Sequence, residues 1–314
     1  MKLISQQQII DLNITPGQCM EWIEESFRIK YDSILPPKVS ISPFPGGYFY
    51  NSMPCYLPAP TDKFGIKVVS RYPGHEPALN ADLMLYDGRD ASLLAVMDAD
   101  WITTMRTGAV AALAIRLFKP SFSQIYSFIG LGNTARATLL CLLSITDEPI
   151  KVRLMAYKGQ ENAFMERFSD YGNVSFEVVD SHYALVDGAD VVVSCITYAS
   201  DIIAPDEAFK PGCLVVPVHT RGFQNCDLFF DKVFADDTGH VSTFKYFSKF
   251  HQFAELSQVL LGKCRGREND VERILAYNVG IGLHDLYFAT KVYELLRNDS
   301  AEVSYDKTKA KFWV

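Results

Sequence analysis

No Cys-x-x-Cys pair occurs in this sequence, and its seven cysteines, at positions 19, 55, 141, 195, 213, 226 and 264, are odd in number and scattered. That spacing fits neither a disulfide framework nor a zinc site, and no metal is expected. Cys141 in TLLCLLSI and Cys195 in VVVSCIT sit in apolar runs, where a free thiol serves as a small buried hydrophobe. Reduced thiols point to a cytoplasmic setting. The chain also lacks any run of about 18 apolar residues, and its first residues, MKLISQQQIIDLNI, hold no apolar export segment, so no membrane association is expected. Positive charge is in deficit: 30 Lys and Arg against 37 Asp and Glu leave a formal net charge of -7. A general nucleic-acid binder needs the opposite field, so nucleic acid is not an expected partner. Charged residues are only 21% and hydrophobic residues 48%, which excludes a disordered chain. At 314 residues there is enough chain for two ordinary domains or one large one.

Residues 1 to about 60 combine a helical stretch, PGQCMEWIEESFRIKYDSI, with extended segments broken by Pro and Gly, as in PPKVSISPFPGGYFYNSMP. From Gly65 to Met97, FGIKVVSRY, DLMLYD and SLLAVMD are separated by turn residues and predict antiparallel pairs in a small sheet. DADWITTMRTGAVAALAIRLF follows with small and apolar residues at helical spacing, predicting a long bridging helix. From Gln124 onward, apolar strands too continuous to be half-exposed alternate with helices, the pattern of a parallel sheet. Strands are expected at 124–130, 151–157, 174–180, 190–196, 213–218 and 232–236, with helices at 135–145, 162–171 and 181–188. Six such strands fit one doubly wound sheet. Beyond it, 247–262 and 271–297 read as helical and 300–314 as a polar surface tail.

The segment IYSFIGLGNTARATLLCLL sets Gly130, Gly132 and Ala135 as G-x-G-x-x-A, directly after an expected strand and at the start of an expected helix. Gly130 supplies a tight turn, Gly132 lets the backbone approach a pyrophosphate, and Ala135 lets the helix pack closely on the strand. The helix start, with Asn133 and Thr134, offers N–H groups and partial positive charge to phosphates. A plain glycine-containing βα turn is the alternative, and the surrounding alternation of strands and helices favours the dinucleotide. The second strand of such a unit normally ends in an acid that reads the ribose 2′-hydroxyl. Here it ends in Tyr157-Lys158-Gly159-Gln160. Without an acid, Lys158 fits a 2′-phosphate, which tilts the expected cofactor from NAD toward NADP; a solvated loop lysine is the other reading.

With these pieces in place the chain resembles the ornithine cyclodeaminase and mu-crystallin family. The resemblance runs over nearly the whole length, through GIKVVS at 65–70, LLAVMDADWITTMRTGAVAALA at 93–114, GLGNTA at 130–135, GADVVVSCIT at 188–197, FKPGCLVVPV at 209–218, FAELSQVLLGK at 253–263, GREND at 266–270 and VGIGLHDLYFATKVYE at 279–294. It implies an α/β fold in which a Rossmann-type doubly wound parallel sheet, over 105–281, is inserted into an α+β substrate-binding and dimerisation domain made of 1–104 and 282–314. A homodimer is implied as well. By resemblance, Lys67 matches the family's active-site lysine and Arg106 the arginine that holds the substrate carboxylate, with Thr107 beside it on the cofactor side. The chemistry suits both: Arg offers a bidentate fork, and a desolvated Lys beside another cation shifts its pKa readily.

Two positions depart from the family pattern. Where the cyclodeaminases carry an acid after the VVPV strand, this chain reads Val218-His219-Thr220. His219 is expected at the carboxyl edge of the sheet as a candidate acid/base, with a hydrogen-bonded loop histidine as the alternative. Upstream, where the family often has a second carboxylate-binding arginine, Lys38 is the nearest cation ahead of Met53-Pro54, and Lys38 and Met53 are taken as substrate-side candidates. The missing acid argues against ornithine cyclisation. The leading expectation is an NAD(P)-dependent oxidoreductase acting at the α-carbon C–N bond of a small amino or imino acid, as dehydrogenase or ketimine reductase. A cyclodeaminase-type lyase that releases ammonia and a non-catalytic dinucleotide binder are the alternatives.

Overall fold

The computed structural model describes residues 1–218, 222–298, 302–304 and 311. Strand β1 (Lys2–Ile4) leads into helices α1 (Gln6–Asp11) and α2 (Pro16–Arg28). Both helices start with a capping box, Ser5 with Gln8 and Thr15 with Gln18, which satisfies N–H groups that a first turn leaves open. Strands β2 (Val39–Ile41), β3 (Phe49–Leu57), β4 (Lys63–Arg71), β5 (Leu79–Asp87) and β6 (Leu93–Asp98) complete a six-stranded sheet in the order β1-β6-β5-β4-β3-β2. β2 to β6 pair antiparallel, as the turn-separated runs predict, and β1 joins β6 in parallel. Period-two alternation along β4 buries Gly65, Lys67 and Val69 on the inner face and leaves Phe64, Ile66 and Val68 on the outer one.

Helix α3 (Asp100–Phe118) is buried over most of its length and carries the chain to the second sheet. There β7 (Ile125–Ile129), α4 (Asn133–Leu143), β8 (Ile150–Met155), α5 (Gln160–Arg167), β9 (Val174–Val179), α6 (His182–Val186), β10 (Val191–Ser194), β11 (Leu214–Pro217), β12 (Lys232–Ala235), α7 (Thr238–Val241), β13 (Phe253–Glu255), α8 (Leu256–Leu260) and β14 (Ile274–Tyr277) follow one another. The eight strands run in the order β13-β12-β14-β11-β10-β7-β8-β9, every pair parallel. All six expected strands are present.

β13 and β14 correct the helical expectation for 247–262 and 271–297. Ile274–Tyr277 is a four-residue apolar run, too short for periodicity to tell strand from helix. Its place between β11 and β12, with all four residues buried, decides the matter. Helix in the second segment is confined to α9 (Gly282–Leu296), which packs back onto β3, β4 and β5. Part of the expected surface tail is tied down, since Glu302 bridges Lys2 and the N-terminal amine donates to the Val303 carbonyl.

One continuous core runs from the inner face of the six-stranded sheet through α2, α3 and α9 to one face of the parallel sheet, and a second covers the parallel sheet's other face. Strand order reverses at β7, which lies between β8 and β10, and the carboxyl ends of β7 and β10 open the crevice where such sheets take ligands. No helix among the described residues is long and apolar enough to cross a membrane.

Candidate active site

The glycine turn leaves β7 as its motif requires. Gly130 has φ +81°, and a Cβ there would stand 2.5 Å from the Ile196 backbone nitrogen, so no larger residue fits. Gly132 N-caps α4, no side chain caps the helix, and the space where its Cβ would project is open. The N–H groups of Asn133, Thr134 and Ala135 are thereby left for an anion, and the buried Ala135 keeps α4 close to the sheet. This cradle fits the pyrophosphate of a dinucleotide. At the end of β8, Lys158 takes φ +52° with its Nζ 5.1 Å from the Tyr157 ring centroid. The expectation that no acid stands there needs correction. Glu161, on the first turn of α5, folds back to accept the Tyr157 N–H at 3.0 Å, and backbone hydrogen bonds hold its carboxyl below the usual range.

On the opposite side, β4, α3 and α9 bring three charges together in the core. Lys67 Nζ donates to Asp285 Oδ1 at 2.7 Å, and Arg106 Nε donates to the same oxygen at 2.8 Å. Lys67, Arg106 and Asp285 are 1%, 2% and 0% exposed. Asp285 Oδ2 is buried and has no hydrogen-bond partner among the described residues. Desolvation, reinforced by the Arg106 charge, pulls Lys67 down to about 7, and the Asp285 carboxylate only partly offsets it. Lys67 Nζ also donates to Thr103 Oγ1 at 3.2 Å. An ammonium with these surroundings exchanges its proton close to neutral pH.

Between the two groups lies a cavity of about 680 Å³. Of the residues singled out in the sequence, Lys38, Met53, Arg106, Thr107 and Thr134 line it. Lys67 lies beneath the lining and reaches it through Thr103, whereas Lys158 stands outside on the β8 turn. His219 lies outside the described residues. Lys38 Nζ donates to the Val279 carbonyl at 2.9 Å, and burial lowers its pKa. Cys195 also lines the cavity, but burial pushes its thiol up to about 12, the opposite of the lowered value an activated thiolate shows.

Three residues escaped the sequence reading: Asp285, Arg71 and Glu161. A signal for Asp285 was available, because a His-Asp pair inside the apolar stretch IGLHDLYFA is out of place unless both are paired in the core. Arg71 also had one, since it follows Lys67 and Val69 at strand alternation and so shares their face.

Comparison with known proteins agrees with this architecture. The chain is 35% identical to the ketimine reductase mu-crystallin of Mus musculus over 170 residues, 52% of each protein. It is 26% identical to an alanine dehydrogenase of Archaeoglobus fulgidus over 328 residues, covering 96% of this chain and 98% of that protein. The solved structure of Thermococcus litoralis Delta(1)-pyrroline-2-carboxylate reductase in complex with NADH and L-proline is similar with a TM-score of 0.86 at 24% identity, over 96% of this chain and 100% of that one. A model of the ornithine cyclodeaminase/mu-crystallin family matches residues 1–300, and the chain belongs to that family.

Proposed function

We propose that this protein is an oxidoreductase that uses a bound nicotinamide dinucleotide to exchange hydride at the α-carbon C–N bond of a small amino or imino acid. The carrying observation is the cavity itself, bounded by Thr134 of the pyrophosphate cradle on one side and by Lys38 and Arg106 on the other. Relatives named as a ketimine reductase, an alanine dehydrogenase and a pyrroline-2-carboxylate reductase support the reading. The nicotinamide supplies hydride exchange; the chain's residues bind, orient and move protons. Arg106 and Lys38 hold the substrate carboxylate, and Met53 closes the floor beside them. Lys67 takes a proton from the substrate nitrogen in the oxidative direction and returns it in the reductive one, through the Thr103 hydroxyl. Asp285 touches no substrate and acts as a positioning residue for both cations.

The adenosine ribose is assigned to the turn after β8. Glu161 there favours a 2′-hydroxyl and repels a 2′-phosphate, so NAD is proposed in preference to NADP, with Lys158 as the opposing influence. The working division is 1–104 with 282–314 around the substrate and 105–281 around the cofactor. A homodimer is proposed through the outer face of the six-stranded sheet, where Pro54, Tyr56, Phe64, Ile66, Val68 and Met84 are incompletely covered. Seven free thiols support a cytoplasmic setting.

Incubation with NAD or NADP and a panel of amino acids, and with the reduced cofactors, keto acids and ammonium, tests the assignment. Stoichiometric change in cofactor redox state is expected. Ammonia and proline from ornithine without net cofactor change would replace this reading with a lyase, and cofactor binding without turnover would replace it with a binder.

A further inference from the structure

We propose that the substrate carries a second carboxylate at the end of its side chain and that Arg71 binds it. The inference rests on the cavity being the amino-acid pocket. Its floor follows three registered rows of the six-stranded sheet, Met53–Lys67–Leu83, Asn51–Val69–Ala81 and Phe49–Arg71–Leu79, of which Met53, Asn51, Val69, Phe49, Arg71 and Leu79 line the cavity. Lys67, Val69 and Arg71 are alternate residues of one strand and share one face. Arg71 therefore stands about 13 Å along β4 from Lys67. A molecule whose α-carboxylate meets Arg106 and Lys38 lays its side chain over Asn51 and Val69 toward the guanidinium, between the apolar Phe49 and Leu79.

Charge makes the same point. Among the described residues the lining holds three cations, Lys38, Arg71 and Arg106, and no Asp or Glu. Asp285, behind the lining, is shared by Lys67 and Arg106. One α-carboxylate held by Arg106 and Lys38 leaves Arg71, the lining cation carried by β4, unmatched. Its contacts among the described residues are neutral: Nη1 donates to the Gly47 carbonyl at 2.8 Å and Nη2 to Thr197 Oγ1 at 3.4 Å. Those contacts anchor the fork and leave further N–H groups for a carboxylate, the geometry guanidinium recognises bidentately. A substrate ending in an amide or methyl group would leave that cation without an anion.

The test uses the full-length protein saturated with NAD. Calorimetric binding and, separately, turnover are measured for aspartate, glutamate and 2-aminoadipate, each against its side-chain amide, with wild type and Arg71→Met. At the best length the acid should bind about 10–100-fold more tightly than its amide, as a charge-assisted pair predicts. In Arg71→Met that ratio should fall to near 1, with NAD affinity kept, and Arg71→Lys should restore part of it. Equal binding of acid and amide by wild type would overturn the inference, as would equal loss of both in Arg71→Met, which would make Arg71 a latch to Thr197 only. Acid-selective, Arg71-dependent binding without turnover of any compound would sustain this inference while defeating the proposed redox activity. Turnover without acid preference would do the reverse.

Discussion

The two sides of the cavity are built by different means. The cofactor side is a backbone device: Gly130 turns the chain, Gly132 leaves room, and the open N–H groups of α4 supply the attraction, all within six consecutive residues. The substrate side is a side-chain device, in which Lys67 of β4, Arg106 of α3 and Asp285 of α9 meet across more than 200 residues of sequence. A backbone cradle depends on local conformation and tolerates change around it. A buried charge cluster depends on every partner, because removing one leaves another desolvated and uncompensated.

The contrast yields four expected outcomes, from the largest effect down. Gly132→Asp should abolish dinucleotide binding while the far-UV circular dichroism and unfolding midpoint stay near wild type; normal cofactor affinity in a folded variant would break the cradle assignment. Lys67→Met should lower kcat by roughly 10²–10⁴-fold with cofactor binding retained. In wild type the same lysine sets a pH step: held at about 7, it is neutral above that pH, so amino-acid oxidation should rise through pH 7 and imine reduction should fall. Residual activity of Lys67→Met that still shows this step would assign it to another group. The unfolded chain keeps this proton up to about pH 10.4, so between about 7 and that value this group makes the fold more stable as pH rises.

Asp285→Asn should lower stability by about 3–5 kcal/mol in urea unfolding, since the buried Arg106 loses its anion and Lys67 its carboxylate partner. A loss below about 1 kcal/mol would show that the charge cluster tolerates change as readily as the backbone cradle does. The smallest effect is at the ribose turn, where Glu161→Gln should move the NADP-to-NAD affinity ratio toward NADP by about two- to five-fold and Lys158→Asp should move it away, as exposed charges allow. No movement in either variant would remove the turn from cofactor choice.

What the sequence determined by itself is what local chemistry encodes. The G-x-G-x-x-A turn, the six apolar strands around it, the antiparallel runs and α3 were legible because period, turn residues and continuous apolar character act over a few residues. Lys67 and Arg106 were legible only through resemblance, since an isolated Lys on a strand or Arg on a helix reads equally well as surface. Only the tertiary structure decided that 274–277 is a strand, because a gap between β11 and β12, and not its own pattern, holds it there. Tertiary structure likewise folded Glu161 back to the end of β8, set Arg71 in the pocket on the face of Lys67, and drove Asp285 into the core between two cations. Each of these is a matter of what faces a residue across space, and the free energy of a buried charge is fixed by those neighbours, which sequence proximity does not specify.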